Sequence, residues 1–589
     1  MRDDLRRTLR MREPQSGAQN SNKQRPTRTT AADARRRTMN TGRRRQSPLI
    51  DRRTFIGSGI AAAGLAAGGT FHGVFAQDIR SAKPSRVVDT AHGRVQGVVL
   101  DGDVNAFYGI PYGATTAGAN RFMPPKAPAT WSGVRATTMV GHRSPQDFNG
   151  PISEVYALDR REPMGEDCLN LNVFTPALGR GDRPVMVWLH GGGFSSGSGN
   201  WLLYDGARLA RSQDAVVVPV THRLNVFGYL YLAELGGEKY AESSNLGMLD
   251  IVAALEWVRD NIERFGGNPN NVTIFGQSGG GGKVSALMGM PPAKGLFHRA
   301  IAMSGALLDG MSKDAATESA QKFMSAVGAK SVDEMQQMPM EKLRDVMENT
   351  QGLRLSPVVD GNTLPAGPFE PRASEISASV PLMVSTVAQE VNFFPTTPLD
   401  PMDDAALLAS VKRATGADDE SARRLMEVYR EGRPDAPNVE LYQTLASDNG
   451  FRLGSLAEAE RKAEQNTAPV YMYYFTWHSP VHEGKLRAYH TLDIPFAFNN
   501  VEVAASMTGA GNDRYPLATK MSSAFAAFAR NGDPNCSVLP TWPAFDTTNR
   551  ATMIMDVDCH AVNDPHKAER LALEKVRASR AGGGGGRQS

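Results

Sequence analysis

The run Gly276-Gln277-Ser278-Gly279-Gly280 constrains this chain more than any other five residues. It follows an apolar, β-branched stretch, Val272-Thr273-Ile274-Phe275, and precedes Lys283-Val284-Ser285-Ala286-Leu287-Met288, a segment able to start a helix. Strand, G-x-S-x-G, helix describes a sharp turn that lifts a serine hydroxyl above the end of a sheet. The serine backbone is strained there, at a cost of roughly 1–3 kcal/mol. Side chains on either side would clash, so glycines flank it. The helix behind it offers amide donors to a developing negative charge. In this context the expectation is a nucleophilic serine, against the bland alternative of a Gly-rich turn.

The neighbouring segments strengthen that expectation. Pro184-Val185-Met186-Val187-Trp188-Leu189 reads as a buried strand, and His190-Gly191-Gly192-Gly193-Phe194 follows at once. Consecutive glycines after a strand let the backbone turn its N–H groups into a cavity, the second half of an oxyanion hole. Between the two motifs lie Asn245 to Asp250 and then Ile251 to Phe265, with Ile251, Leu255, Val258 and Ile262 at helical spacing. Gly266-Gly267 is read as the C-cap of that helix.

These segments, with Gly165-Glu166-Asp167-Cys168-Leu169-Asn170-Leu171-Asn172-Val173-Phe174, together resemble the type-B carboxylesterases. The resemblance starts near Gly93-Arg94-Val95 and takes in Phe107-Tyr108-Gly109-Ile110-Pro111-Tyr112 and Ser356-Pro357-Val358-Val359-Asp360-Gly361. It runs to Asn531-Gly532-Asp533-Pro534-Asn535 and Trp542-Pro543. It implies an α/β-hydrolase fold: a large, mostly parallel sheet flanked by helices, with an antiparallel β extension at its N-terminal side. It also implies one domain over residues 77–565 and hydrolysis of carboxylic esters without cofactor or metal. A small-molecule ester is the expected partner.

A serine needs a base held by a third group, and in this fold class the chain order is serine, acid, histidine. Val380 to Val387 reads as a later strand, and Ala388-Gln389-Glu390-Val391-Asn392-Phe393-Phe394 follows it. This resembles the family's strand, Asp-Glu-Gly, Phe-Phe pattern, which carries the acid at Glu390; Asp360 is the rival. Among the 11 histidines, His478, His482 and His490 follow the apolar run Val470 to Trp477. Only His490, in Tyr489-His490-Thr491-Leu492-Asp493, matches the family's base, with Asp493 in place of the usual glutamate and His482 a distant second. The family's oxyanion donors map to Gly192, Gly193 and Gly279, the last usually alanine. Gln277 stands where glutamate is usual, which removes a buried negative charge and weakens the case for a cationic substrate. Ser304 matches a serine that supports the triad from behind; its alternative role is to satisfy backbone at a strand end.

Charge is distributed unevenly. The net +3 conceals an arm, residues 1–53, that alone carries +11 and leaves the rest of the chain at −8. A mildly acidic body without a basic stripe argues against nucleic acid as a partner. Within residues 1–76, Asp51-Arg52-Arg53-Thr54-Phe55-Ile56 is similar to a twin-arginine export signal, followed by a weakly hydrophobic Ala/Gly-rich run and by Val74-Phe75-Ala76 before Gln77. Engagement by the twin-arginine machinery, cleavage near Gln77 and a periplasmic or secreted enzyme without stable membrane insertion are expected. A retained anchor is the rival, weakened by the six glycines in 54–76. Met39 offers an alternative start that would leave residues 1–38 untranslated.

Cys168 sits where the family usually has a bridging cysteine, but the upstream partner position is Ser144, so that bridge is not expected. Cys536 and Cys559 leave a second pairing open. No pattern resembles a zinc or iron site. Residues 566–589 read as a charged helix, Lys567 to Arg580, and a disordered Gly-rich tail. Three rival readings stand beside this one. The region from Pro145 to Asp167 has no tryptophan, so the aromatic platform for a quaternary ammonium is missing and a cholinesterase is disfavoured. A lipase or natural-product esterase remains an alternative. A non-catalytic adhesion member is opposed by the presence of Ser278, Glu390 and His490 together.

Overall fold

Seven strands lie parallel at the centre of the sheet, in the spatial order Val216–Thr221, Gly179–Leu189, Phe265–Gln277, Arg299–Met303, Leu382–Val387, Val470–Phe475 and Ala551–Met555. Asn170–Thr175, Val104–Pro111, Val98–Leu100 and Lys83–Pro84 extend one edge antiparallel, and His560–Asn563 closes the other. Val88–Thr90, Gly93–Gln96 and Val134–Ala136 form a separate small sheet near the N-terminal side. This computed structural model describes residues 82–147, 158 and 162–583.

Parallel strands need both faces covered, so they read as continuous apolar runs. Val216–Thr221, Leu382–Val387 and Val470–Phe475 are buried at every position. Alternate residues of one strand feed opposite faces: Val185, Val187 and Leu189 join one core cluster, Met186 and Trp188 the other. On the second face Trp188 packs against Tyr204, Phe275 and Phe498, with ring centroids 5.0, 4.9 and 5.0 Å apart. Two buried ion pairs tie loops to this body. Arg223 meets Asp250 at 2.6 Å and Arg121 meets Glu166 at 2.5 Å, each guanidinium reaching both carboxylate oxygens.

The chain order creates the crevice. From Gly179–Leu189 the chain steps outward to Val216–Thr221, then crosses back to Phe265–Gln277 on the other side of the first strand. Loops leaving the carboxyl ends at such a reversal diverge and open a crevice between them. The loop after Leu189 and the turn after Gln277 leave neighbouring strands there, with Gly276 in register with Leu189.

Three boundaries differ from expectation. The helix behind the elbow is Gly279–Met288, so the glycine run is helical from its first residue and not from Lys283. Glycine costs about 1 kcal/mol per position relative to alanine in a helix, and packing overrides this because side chains would not fit. A Cβ on Gly280 would lie 2.0 Å from the Leu189 carbonyl oxygen. The preceding helix, Leu246–Asn261, passes into a tight turn at Ile262–Arg264 before Gly266-Gly267 is reached. Those glycines lie inside the strand Phe265–Gln277, at an irregularity where Gly266 has φ +86° and approaches the Ala177 carbonyl. Sequence periodicity therefore placed the helix end too late, because Ile262 is buried from the tight turn as it would be from a helix.

Cys168, Cys536 and Cys559 are all free thiols, which closes the pairing left open for the last two. Cys168 is fully buried with Ser144 as its hydrogen-bonding neighbour, and burial pushes its thiol well up. The charged C-terminal helix is Lys567–Gly583. Among the described residues no helix is long and apolar enough to cross a membrane. The arm with Arg52 and Arg53, the cleavage position at Gln77 and the end of the Gly-rich tail lie outside the described residues.

Candidate active site

Ser278 occupies the turn at φ 58°, ψ −125°, a region that side chains rarely adopt. Its N–H donates to the Met303 carbonyl at 2.8 Å and its carbonyl accepts the first helical bond, from Gly282, at 3.0 Å. Both anchors help hold a non-glycine residue in this conformation. Glycine on each side follows from contact: a Cβ on Gly276 would meet Gly280 backbone and the Leu189 carbonyl at 2.6 Å.

His490 and Glu390 arrive on adjacent loops. Gln389 donates its N–H to the Ala488 carbonyl at 2.9 Å and accepts the Ala488 N–H on its side-chain oxygen at 3.2 Å, which sets the two segments side by side. Glu390 is fully buried and accepts the Val387 N–H on Oε1 at 2.9 Å. Its Oε2 lies 2.5 Å from His490 Nδ1. The ring is enclosed by Phe393, Phe394 and Phe451, with centroids at 5.5, 6.0 and 5.1 Å. The Phe393-Phe394 pair was visible in the sequence; Phe451, 61 positions after Glu390 in the chain, carried no signal there.

Gln277 is the contact between the elbow and His490. Its Nε2 lies 3.3 Å from both ring nitrogens of His490. Equal distances are not those of a bond directed at one lone pair, and Nδ1 is already committed to Glu390. The Ser278 hydroxyl makes no hydrogen bond to the ring among the described residues. Catalytic bonds of this type are often long in unliganded chains and tighten with substrate.

The two glycine segments expected to supply oxyanion donors converge. Gly192 and Gly193 sit at φ +88° and +61°, a conformation that glycine alone adopts without strain. Gly279 faces them so closely that a Cβ there would lie 2.1 Å from the Gly193 carbonyl oxygen. The N–H groups of Gly192, Gly193 and Gly279 find no acceptor among the described residues. Beneath the loop, His190 and His222 stack at 4.8 Å, both kept neutral by burial.

Asp493 is buried behind the triad candidates and accepts from the Tyr473 hydroxyl at 2.9 Å. Burial first, and the Glu390 charge second, push its carboxyl up to about 7. Ser304 is buried at φ 47° with its N–H on the Ser385 carbonyl and no partner for its hydroxyl among the described residues. Asp360 instead organises its own loop, accepting the Asn362 and Leu364 N–H groups at 2.9 and 3.0 Å, and His482 is exposed. The structure thus joins Glu390 to His490, with Asp360 bonded within its own loop and His482 exposed. Lys283 was missed as a candidate residue: it is fully buried beside the glycine loop at Gly191–Gly193, and its only signal was a lysine directly after a glycine run.

A mostly parallel sheet, a serine on a strained strand-to-helix turn and a buried carboxylate–imidazole pair beside it define an α/β-hydrolase, a serine hydrolase by class. The sequence pattern described as "Carboxylesterase family" matches residues 84–574. The chain therefore belongs to the carboxylesterase family and is a carboxylic ester hydrolase. It is 34% identical over 502 residues to the para-nitrobenzyl esterase of Bacillus subtilis (strain 168), covering 83% of this chain and 98% of that protein. It is 31% identical to the phenmedipham hydrolase of Pseudarthrobacter oxydans, covering 83% and 99%. Among solved structures, a carboxylesterase of Geobacillus stearothermophilus superposes with a TM-score of 0.71 at 35% identity, covering 83% of this chain and all of that one. An esterase of Clostridium hathewayi, described as able to hydrolyse aliphatic aromatic polyesters, superposes with a TM-score of 0.72 at 33% identity, covering 84% and 98%.

Proposed function

We propose that Ser278, His490 and Glu390 form the catalytic triad and that the amides of Gly192, Gly193 and Gly279 form the oxyanion hole. The 2.5 Å contact between Glu390 Oε2 and His490 Nδ1 carries this reading. It commits the Nδ1 proton to the carboxylate, so Nε2 is the lone pair left to act as base. His490 takes the Ser278 proton as the serine attacks the ester carbonyl. The three glycine amides receive the oxyanion; each such donor is worth on the order of 10²–10³ in rate. His490 returns the proton to the leaving alcohol, and water, activated the same way, releases the acid. Asp493 supports the pair from behind: a carboxyl raised to about 7 is largely protonated below neutral pH and adds little negative charge beside Glu390.

The substrate reading is a small-molecule ester with an aromatic or bulky group. Phe393, Phe394 and Phe451 wall the histidine with ring faces and edges, and rings of this kind hold flat apolar groups by area and by edge-to-face contact. The test is a screen of purified enzyme on p-nitrophenyl esters of increasing acyl length, on aryl and alkyl esters of one acid, and on one choline ester. Aryl or bulky esters with short acyl chains should lead; choline ester turnover equal to theirs would overturn the substrate reading. We further propose export through the twin-arginine route to the periplasm or the medium, on the strength of Arg52-Arg53 and the weakly hydrophobic run behind them.

A further inference from the structure

Lys283 is a buried lysine without a carboxylate partner among the described residues. It lies on the helix Gly279–Met288, one turn beyond Ser278, with none of its side chain exposed. Its Nζ donates to the His190 carbonyl at 3.0 Å and to the Gly193 carbonyl at 2.8 Å, and sits 5.3 Å from the centre of the Phe194 ring. An ammonium taken out of water is costly unless specific groups face it, and all three groups here belong to the oxyanion loop.

The arrangement brackets the donors. The N–H groups of Gly192 and Gly193 belong to the peptides between residues 191 and 193. The peptides on either side, 190–191 and 193–194, are those whose carbonyls Lys283 holds. The intervening carbonyls are also engaged, that of Gly191 near His190 Nδ1 at 2.9 Å and that of Gly192 by the Ser196 N–H at 3.0 Å. With every carbonyl turned away, the N–H groups are left facing the crevice. Gly279 permits the approach, because a side chain there would push the Gly193 carbonyl off its place against Lys283.

Resting on the reading of Ser278 as nucleophile, we propose that Lys283 is a positioning residue whose ammonium clamps the oxyanion loop in its donor-outward form and sets a positive charge behind the developing oxyanion. The charge matters as well as the bonds. A neutral amine still donates, but more weakly, and contributes no field to a site where little water screens it.

The charged form is available only over part of the pH range. Burial pushes Lys283 down to about 7. The groups that face it do not compensate: His190 is pushed down to about 3 by burial and then by the Lys283 charge, His222 is held neutral in the same way, and Phe194 offers only its ring. Glu458, on Leu453–Glu464, is bonded to Ser285 two residues along the helix, at 2.7 Å, and is itself pushed up to about 8 by burial. Protonated lysine is the working form, so turnover should fall as pH rises through the lysine's range, opposite in sign to the gain from deprotonating the base.

The test compares wild type, Lys283→Met and Glu458→Gln, each first checked by circular dichroism and melting, on one soluble p-nitrophenyl ester from about pH 5 to 10. Lys283→Met should lower kcat about 10- to 100-fold, as displaced catalytic groups do, with KM changed less than about threefold. It should also lose the alkaline fall in kcat seen in wild type, whereas Glu458→Gln should keep it. A fully active Lys283→Met, or a slow one that retains the alkaline fall, overturns the proposal. Should Lys283→Met not fold, the other two proteins decide: a fall that survives in Glu458→Gln upholds it, and a flat alkaline limb overturns it. An active Ser278→Ala would remove the underlying triad reading instead.

Discussion

Glu390 and His490 are separated by 100 residues in the chain and by 2.5 Å in the fold, with both side chains sealed from solvent. A buried carboxylate at that distance fixes the imidazole tautomer and stabilises the imidazolium that forms in each step. Glu390→Gln is therefore expected to lower kcat by about 10⁴, and His490→Ala by more, with the double variant no slower than His490→Ala alone. Asp360→Asn, which alters a loop and its contact with the Asn245 amide and not the Glu390–His490 pair, should keep most activity. Steady-state kinetics on folded variants check this; loss of activity in Asp360→Asn with retention in Glu390→Gln would reverse the assignment.

Ser278→Ala should abolish ester hydrolysis, a loss of about 10⁶-fold for a triad nucleophile. The hydroxyl is only partly buried and adds little packing, so melting temperature should hardly change. Retention of a tenth of wild-type turnover would exclude Ser278 as nucleophile.

Gly279→Ala tests how closely the two halves of the oxyanion site approach. The added methyl would lie 2.1 Å from the Gly193 oxygen, so the loop must move. Displacement of catalytic groups by this amount is expected to cost about 10²-fold in kcat with KM nearly unchanged. Unaltered kcat would mean that the loop tolerates a wider separation.

Glu458 should leave a mark on stability. Burial holds its carboxyl at about 8, above the range of an unfolded glutamate, so the folded chain binds a proton that the unfolded chain has released. That contribution is full below the unfolded value and is lost as pH rises through about 8. Wild type should therefore lose melting temperature between mildly acidic pH and pH 8 relative to Glu458→Gln, in which the step is absent. Parallel melting curves for the two proteins across that window would contradict the assignment.

Export is tested by replacing Arg52 and Arg53 with lysine. The receptor reads the guanidinium fork and not charge alone, so unprocessed protein should accumulate in the cytoplasm. N-terminal sequencing of the exported wild type should begin at or near Gln77. A mature chain retaining residues 54–76 would indicate an anchor, and normal export of the double-lysine variant another route.

Local pattern alone was enough to identify the elbow at Ser278, the glycine loop at Gly191–Gly193 and the strand beneath each, because both motifs depend on backbone that only small residues and a strand-to-helix turn provide. The proposed acid and base, Glu390 and His490, needed chain order and resemblance as well, since a glutamate after a strand and a histidine in a loop are individually common. Tertiary structure decided what periodicity could not. It made the glycine run helical because Leu189 and Gly193 backbone crowd it, and it moved Gly266-Gly267 from a helix end into a strand. It also brought Phe451 onto His490 and buried Lys283, which the sequence marked only as part of a helix start, against the carbonyls of His190 and Gly193. The physical reason is common to all four. Motifs are fixed by what the backbone can do within a few residues, whereas burial and partnership depend on which distant surfaces the sheet stacks against each other.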